Sequence, residues 1–149
     1  MKDALKTNPR LVDARNSAGV TPLMASCGKD QNHCVHYLLH SGAATLTITD
    51  NLGNTALHLA AGTGSLRAIN VLLDYVFQRP SFNELIECRN RAGETALVLA
   101  VSNNHVSCVK ALLSSGADQN AQDRNGQTLK DVAHLKRLGD IKHLLNNFK

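Results

Sequence analysis

Three histidines and a cysteine crowd into His33-Cys34-Val35-His36-Tyr37-Leu38-Leu39-His40. His36 and His40 are four residues apart and His33 precedes His36 by three, so on a helix they share one face, a spacing able to hold a transition metal. The other reading of these letters is a polar outer helix face. Neighbouring segments favour it: Arg67, Asn70 and Asp74 stand at the matching places further on, and Ser107, Lys110 and Ser114 at the next set. No metal site is therefore expected. Cys27, Cys34, Cys88 and Cys108 include no Cys-x-x-Cys pair. Three of them, Cys27, Cys34 and Cys108, take places filled elsewhere by Ala, Ile or Val, and read as small core residues of a reduced chain. No phosphate-binding glycine loop and no nucleophile elbow occurs. Enzyme activity has no support, and no cofactor is expected.

The elements that position these residues follow from an internal repeat. Asn16-Ser-Ala-Gly-Val-Thr-Pro-Leu, Asp50-Asn-Leu-Gly-Asn-Thr-Ala-Leu, Asn90-Arg-Ala-Gly-Glu-Thr-Ala-Leu and Asp123-Arg-Asn-Gly-Gln-Thr-Leu align without gaps, with threonines 34, 40 and 33 residues apart. Asn or Asp ahead of Gly is turn chemistry, Gly supplying the positive φ. Thr21, Thr55, Thr95 and Thr128 are helix N-caps, and Pro22 suits a first helical position. Each threonine therefore opens a first helix, whose leucines fill the space between repeats and whose small fifth residue allows close approach. A second helix follows, marked by Leu38-Leu39, Leu72-Leu73, Leu112-Leu113 and Leu144-Leu145, with Gly42 and Gly116 as stops. Thr to the first leucine counts 17, 17, 17 and 16, so the last unit reads as one residue short.

These letters resemble the ankyrin repeat family. The Asp-X-X-Gly-X-Thr-Pro-Leu-His-X-Ala pattern is nearly complete from Asp50 to Ala61, and Gly116-Ala117-Asp118 with Asn120-Ala121 matches the family's closing motif. The resemblance runs from about Asn16 to Lys149. The family histidine appears only as His58, expected to partner Thr55, with Met24, Val98 and Lys130 in its place elsewhere; the family proline appears only as Pro22. The resemblance implies an all-α solenoid of helix-turn-helix units joined by β-turn or hairpin loops. Its units would be 16–49, 50–89 with an insertion, 90–122 and a C-terminal capping repeat 123–149, after a partial repeat at 1–15. An uncapped first fragment suggests a chain cut from a longer protein.

Composition agrees with one such domain. Hydrophobic residues make up 43% of 149, charged residues 19% and aromatics 3%, so Leu, Val, Ile and Ala must fill the core. No apolar run approaches the ~20 residues of a membrane helix, and no secretory leader is read at the start. Net charge is +4, carried by the last 26 residues, where Arg124, Lys130, Lys136, Arg137, Lys142 and Lys149 face Asp131 and Asp140. Cytoplasm and nucleus are the expected compartments.

Without catalytic residues, the expected function is a protein-protein interaction module and scaffold binding a peptide or loop on the concave surface that stacked repeats form. Carried onto this chain, the pattern nominates Val20, Leu52, Asn54, Arg91, Glu94, Asn103, Arg124, Asn125 and Lys136 as partner-binding residues. The apolar part of the partner is expected against Val20 and Leu52 and its acidic part against the arginines. The insertion 74–89 holds three of the five aromatics. Either Phe77 and Phe82 pack locally with Leu85 and Ile86, or they form a second docking patch. Two alternatives accompany the main reading: an architectural spacer or dimerisation element, and association with nucleic acid through the basic C-terminal end, where only Phe148 offers a stacking ring. The isolated domain is expected to be a monomer with no membrane contact.

Overall fold

Each of the four motifs folds into the same turn. The Oδ1 atoms of Asn16, Asp50, Asn90 and Asp123 accept the backbone N–H groups two and four residues on, at 2.8–3.0 Å. Gly19, Gly53, Gly93 and Gly126 close the turn at φ between 75° and 79°, a conformation that a β-carbon opposes. The hydroxyls of Thr21, Thr55, Thr95 and Thr128 then accept the N–H groups of Met24, His58, Val98 and Asp131, satisfying a donor that the helix start would leave unpaired.

The computed structural model describes residues 9–41, 44–77 and 79–148. First helices are α1 (Pro22–Gly28), α3 (Ala56–Thr63), α6 (Ala96–Ser102) and α8 (Leu129–Leu135). Second helices are α2 (Asn32–His40), α4 (Leu66–Val76), α7 (Val106–Ser114) and α9 (Gly139–Asn147), and a short α5 (Phe82–Ile86) lies in the insertion. First helices pack side by side, α1 on α3, α3 on α6 and α6 on α8, while α2 packs on α4, α4 on α7 and α7 on α9. Among the described residues there is no named strand, only an isolated antiparallel bridge between Gln122 and Thr128. The all-α repeat architecture expected from the letters is the one observed.

Between the two helices of each pair, the ninth residue after the threonine is left-handed: Asp30 (φ 52°), Gly64 (φ 76°), Asn104 (φ 60°) and Arg137 (φ 56°). Asp30 uses this placement to reach the next pair, its carboxylate accepting the Ala68 N–H at 2.9 Å near the start of α4, where Ser65 supplies no side-chain cap. The turns are joined laterally as well. Asn51 N–H donates to Ala18 O at 2.9 Å and Arg91 N–H to Leu52 O at 3.0 Å.

One core runs through the stack. Counting from the threonine, the second residue (Leu23, Leu57, Leu97), the sixth (Cys27, Ala61, Val101), the fourteenth (Val35, Ile69, Val109) and the eighteenth (Leu39, Leu73, Leu113) are buried in the first three pairs. In the fourth pair the same places hold Lys130, His134, Lys142 and Asn146, all exposed.

This count corrects the reading of the last unit as one residue short. The left-handed ninth residue and the buried seventeenth residue (Leu38, Leu72, Leu112, Leu145) keep their places in all four pairs. The leucine pair has slid by one because the eighteenth position of the last unit meets no neighbour and carries Asn146. The residue matching His58 is accordingly Asp131, not Lys130, and it forms the same reciprocal cap with Thr128.

In the insertion, α4 ends at Val76 and the chain re-enters a helix after Ser81. Leu85 and Ile86 are buried, Phe82 is half-buried, and Phe77 is 67% exposed with its ring edge-on to Phe82 at 5.8 Å. Gly116, at φ 93°, follows α7 as a stop. Gly42 and residues 1–8 of the partial N-terminal repeat lie outside the described residues.

Candidate functional site

The flank where turns face first helices is open. Its main feature is a groove of about 590 Å³ between the second and third pairs. The turn wall is Leu52, Asn54, Asn90, Arg91, Ala92, Glu94 and Arg124; the helix wall is His58, Leu59, Gly62, Thr63 and Leu99. A second hollow of about 290 Å³ continues it towards the fourth pair, lined by Glu94, Ser102, Arg124, Asn125, Gln127, Leu135 and Lys136 among others.

His58 fixes the base of the groove. Its Nδ1 accepts the Thr55 N–H at 3.1 Å, so the proton sits on Nε2, which donates to the Glu94 carbonyl of the next turn at 3.0 Å. One neutral imidazole thus caps its own helix and ties two pairs together. Burial pushes its pKa below the ordinary 6.5, against the upward pull of the Glu94 and Cys88 carbonyls and the Asp50 and Glu94 carboxylates.

The cations line the turn side. Arg91 and Arg124 are exposed, and among the described residues their guanidinium groups bond to nothing. Arg89 donates to the Gly93 carbonyl at 2.8 Å, and Lys136 Nζ to the Ser102 carbonyl at 2.8 Å, which leans it over the second hollow.

Of the nominated residues, Leu52 (67% exposed), Arg91, Glu94, Arg124, Asn125 and Lys136 line one hollow or both. Asn54 does so only marginally. It is buried, its amide held by Asp50 at 3.2 Å while its carbonyl oxygen accepts from Asn90 at 3.0 Å, so it works as a brace between turns. Val20 is half-buried against the core, and Asn103 lies outside both hollows with its amide on the Leu99 carbonyl. Leu59 and Leu99, read from sequence as packing between repeats, instead face the groove half-buried, and Leu135 stands 62% exposed. Their common sign is the fourth position after the threonine for Leu59 and Leu99, where Ala25 and Val132 complete the row. The apolar floor therefore lies beside the arginines, and not only at the first two units.

The histidines of α2 are arranged differently from metal ligands. The His36 and His40 rings stack at 3.9 Å, and His40 Nδ1 bonds the His36 carbonyl at 2.9 Å. Among the described residues no group of three or more His, Cys, Asp or Glu is placed to hold a metal ion. Burial, with Asp30 adding to it, pushes the Cys27 thiol up to about 12 and the Cys108 thiol to about 11, so both are inert at neutral pH. No helix among the described residues is long and apolar enough to cross a membrane.

Comparison with known proteins bears on the same residues. A family model described as ankyrin repeats in three copies matches residues 2–84, and one described as an ankyrin repeat matches residues 92–124. Curated relatives include the nuclear factor NF-kappa-B p105 subunit of Gallus gallus, 34% identical over 83% of this chain and 12% of the relative. The p105 subunit of Rattus norvegicus is 35% identical over 76% of this chain and 11% of the relative. The E3 ubiquitin-protein ligase KEG of Arabidopsis thaliana is 28% identical over 87% of this chain and 8% of the relative. The chain thus spans about an eighth or less of the length of these relatives. Repeats of this kind are protein-protein interaction modules, and neither family model describes an enzyme.

Proposed function

The chain belongs to the ankyrin repeat family, and on that premise we propose that it is a non-catalytic recognition module whose groove, between the turns and the first helices, grips a segment of a partner protein. The units are 16–49, 50–89, 90–122 and 123–149, with 1–15 a partial repeat. It works as a monomer in the cytoplasm or nucleus. The partner segment carries apolar groups for Leu52, Leu59 and Leu99 and carboxylates for Arg91 and Arg124.

The observation that carries this reading is the pair of unbonded guanidinium groups beside an apolar floor. A half-buried leucine gains from being covered, and an unpaired cation beside it selects an acidic partner and speeds its arrival. Glu94 stands between the arginines' side and the second hollow and disfavours an acid placed directly against it.

Panning a library of random peptides against the whole chain tests the reading. Enriched sequences should combine leucine-like residues with Asp or Glu, and the Arg91→Glu/Arg124→Glu double variant should weaken their binding at least tenfold with its circular dichroism unchanged. Enriched peptides indifferent to that variant would remove the groove from consideration.

Phe77 supports a second reading, in which the insertion is the contact surface of an architectural element. A ring that is 67% exposed and braced by Phe82 is a ready apolar anchor. Phe77→Ser should abolish association under this reading and leave it unchanged under the first.

A further inference from the structure

We infer that the fourth pair is a hinged end of the stack: it swings as a unit at its seam with the third pair, and so carries Arg124 and Lys136 on a part of the groove that moves apart from the rest. The consequence for a partner rests on the groove reading above; the hinge does not.

The turns are laced together at two seams and barely at the third. Across the first, Asn51 donates its backbone N–H to the Ala18 carbonyl and its Nδ2 to the Ser17 carbonyl, both at 2.9 Å. Across the second, Arg91 N–H donates to Leu52 O, Asn90 Nδ2 to Asn54 Oδ1 and His58 Nε2 to Glu94 O, each at 3.0 Å. Among the described residues, one bond joins the third turn and α6 to the fourth turn and α8. It runs from Lys136 Nζ to the Ser102 carbonyl, at the C-terminal ends of both helices. Spacing agrees. A β-carbon on Gly19 would come 2.9 Å from Asn51 N and one on Gly53 2.8 Å from Arg91 N, whereas one on Gly93 would find nothing within 4 Å. The fourth turn stands off from the third.

The residues at this seam account for the gap. Asn54 and Asn90, fifth in one turn and first in the next, bond amide to amide; Glu94 and Asp123 hold the same two places further on and bring only acceptors of like charge. Val98 occupies the place from which His58 reaches across, and valine has no donor for the Gln127 carbonyl. The helices still pack, α6 on α8 and α7 on α9, so the pair keeps its core while its turn side is free to part. In a stack whose units touch only their neighbours, opening follows the least-bonded seam. The second hollow, about 290 Å³, lies here, with Glu94 and Asp123 in its lining beside Arg124 and Lys136. A partner segment that rests on the third pair and bonds Arg124 favours the closed arrangement by its differential affinity for it.

Native-state hydrogen exchange of the whole chain, followed through a series of low urea concentrations, is the test. Amides within α8 and α9 should exchange through one shared opening, at least about tenfold more often than those of α1 and α2 towards the other end. The variant Glu94→Asn/Val98→His/Asp123→Asn rebuilds the amide pair and the imidazole of the second seam at the third. It should slow exchange in α8 and α9 at least about tenfold and leave α1 to α4 within about twofold. Amides of α8 and α9 as well protected as those of α1 and α2, or no slowing in a variant whose circular dichroism is unchanged, would overturn the hinge. If the variant fails to fold, the comparison within the unaltered chain decides alone. A peptide from library panning that depends on Arg124 should slow the same amides further, and one that binds without slowing them would overturn the coupling to the partner. Panning that yields no peptide defeats the groove reading and leaves the hinge to the exchange of the free chain.

Discussion

Between α3 and α6 the stack closes on Leu57 and Ala61, whereas the outer face of α8 and α9 presents Lys130, His134, Lys142 and Asn146 at the second, sixth, fourteenth and eighteenth places. Backbone, caps and turns are the same in both regions. What differs is only whether another pair packs on that face. Polar side chains where nothing packs, and aliphatic ones where something does, show that stacking decides these four positions, while the turns and caps form without it.

Truncation should break the comparison most visibly. Leu57→Ala leaves a cavity in the seam and should cost about 3 kcal/mol in urea unfolding. Lys130→Ala, at the same place in the fourth pair, should stay within about 0.5 kcal/mol. Equal costs would mean that the end face is as tightly packed as the seam.

The left-handed residue between paired helices gives a contrast of opposite sign. A β-carbon on Gly64, at φ 76°, would come 2.6 Å from His105 Nδ1, the ring that bonds the Gly62 carbonyl at 3.1 Å. Gly64→Ala should therefore cost about 2 kcal/mol, combining left-handed strain with displacement of that ring. Arg137→Gly relieves the same backbone strain but loosens the unfolded chain, for a net gain of about 0.5 kcal/mol. Thermal melts of both variants read the two shifts.

Acid should separate the two reciprocal caps by pH window. His58 has a folded pKa below 6.5, so its neutral form is favoured and its contribution is complete above that value. The contribution is lost as pH falls from 6.5 through the folded value. Asp131, lowered from 3.8 first by the Thr128 hydroxyl and then by the Thr128 N–H, contributes fully above 3.8 and is lost below it. Stability measured from pH 7.5 to 5.5 should fall in the wild type and fall less in His58→Gln. Asp131→Asn should lower stability above about pH 4 and remove the pH dependence that the wild type shows only below it. A His58→Gln variant with the wild-type slope would contradict the lowered pKa of His58.

Turns, caps and first helices were legible because Asn or Asp, Gly and Thr each do one local job at fixed spacing. The left-handed ninth residue was not, since Asp30, Asn104 and Arg137 hide a position that only Gly64 marks. The one-residue slide of Leu144-Leu145 misled the count because a leucine pair looks like a landmark, although only its inner member, Leu145, is required. Leu59 and Leu99 were misplaced for a related reason. A leucine on a first helix carries the same letter whether it faces a neighbouring repeat or the groove, and the four-residue offset separates the two only once the helix axis is fixed. Asn54 lines the groove, but its side chain is already shared between Asp50 and Asn90, a partnership that crosses thirty-six residues and that the letters do not announce. The groove arginines were legible as charges, and their nearness to an apolar floor needed the fold.

Cysteine labelling tests most directly whether the groove side of α6 is an unoccupied flank. In a chain with Cys34 and Cys88 changed to Ser, Leu99→Cys and Val101→Cys differ by two residues on α6, while Cys27 and Cys108 stay silent behind burial and raised pKa values. Leu99→Cys should react within about tenfold of the unfolded-chain rate and Val101→Cys at least about a hundredfold more slowly, since it must await local opening. Equal rates at the two positions, or a Leu99→Cys thiol protected in the chain alone, would contradict the open groove.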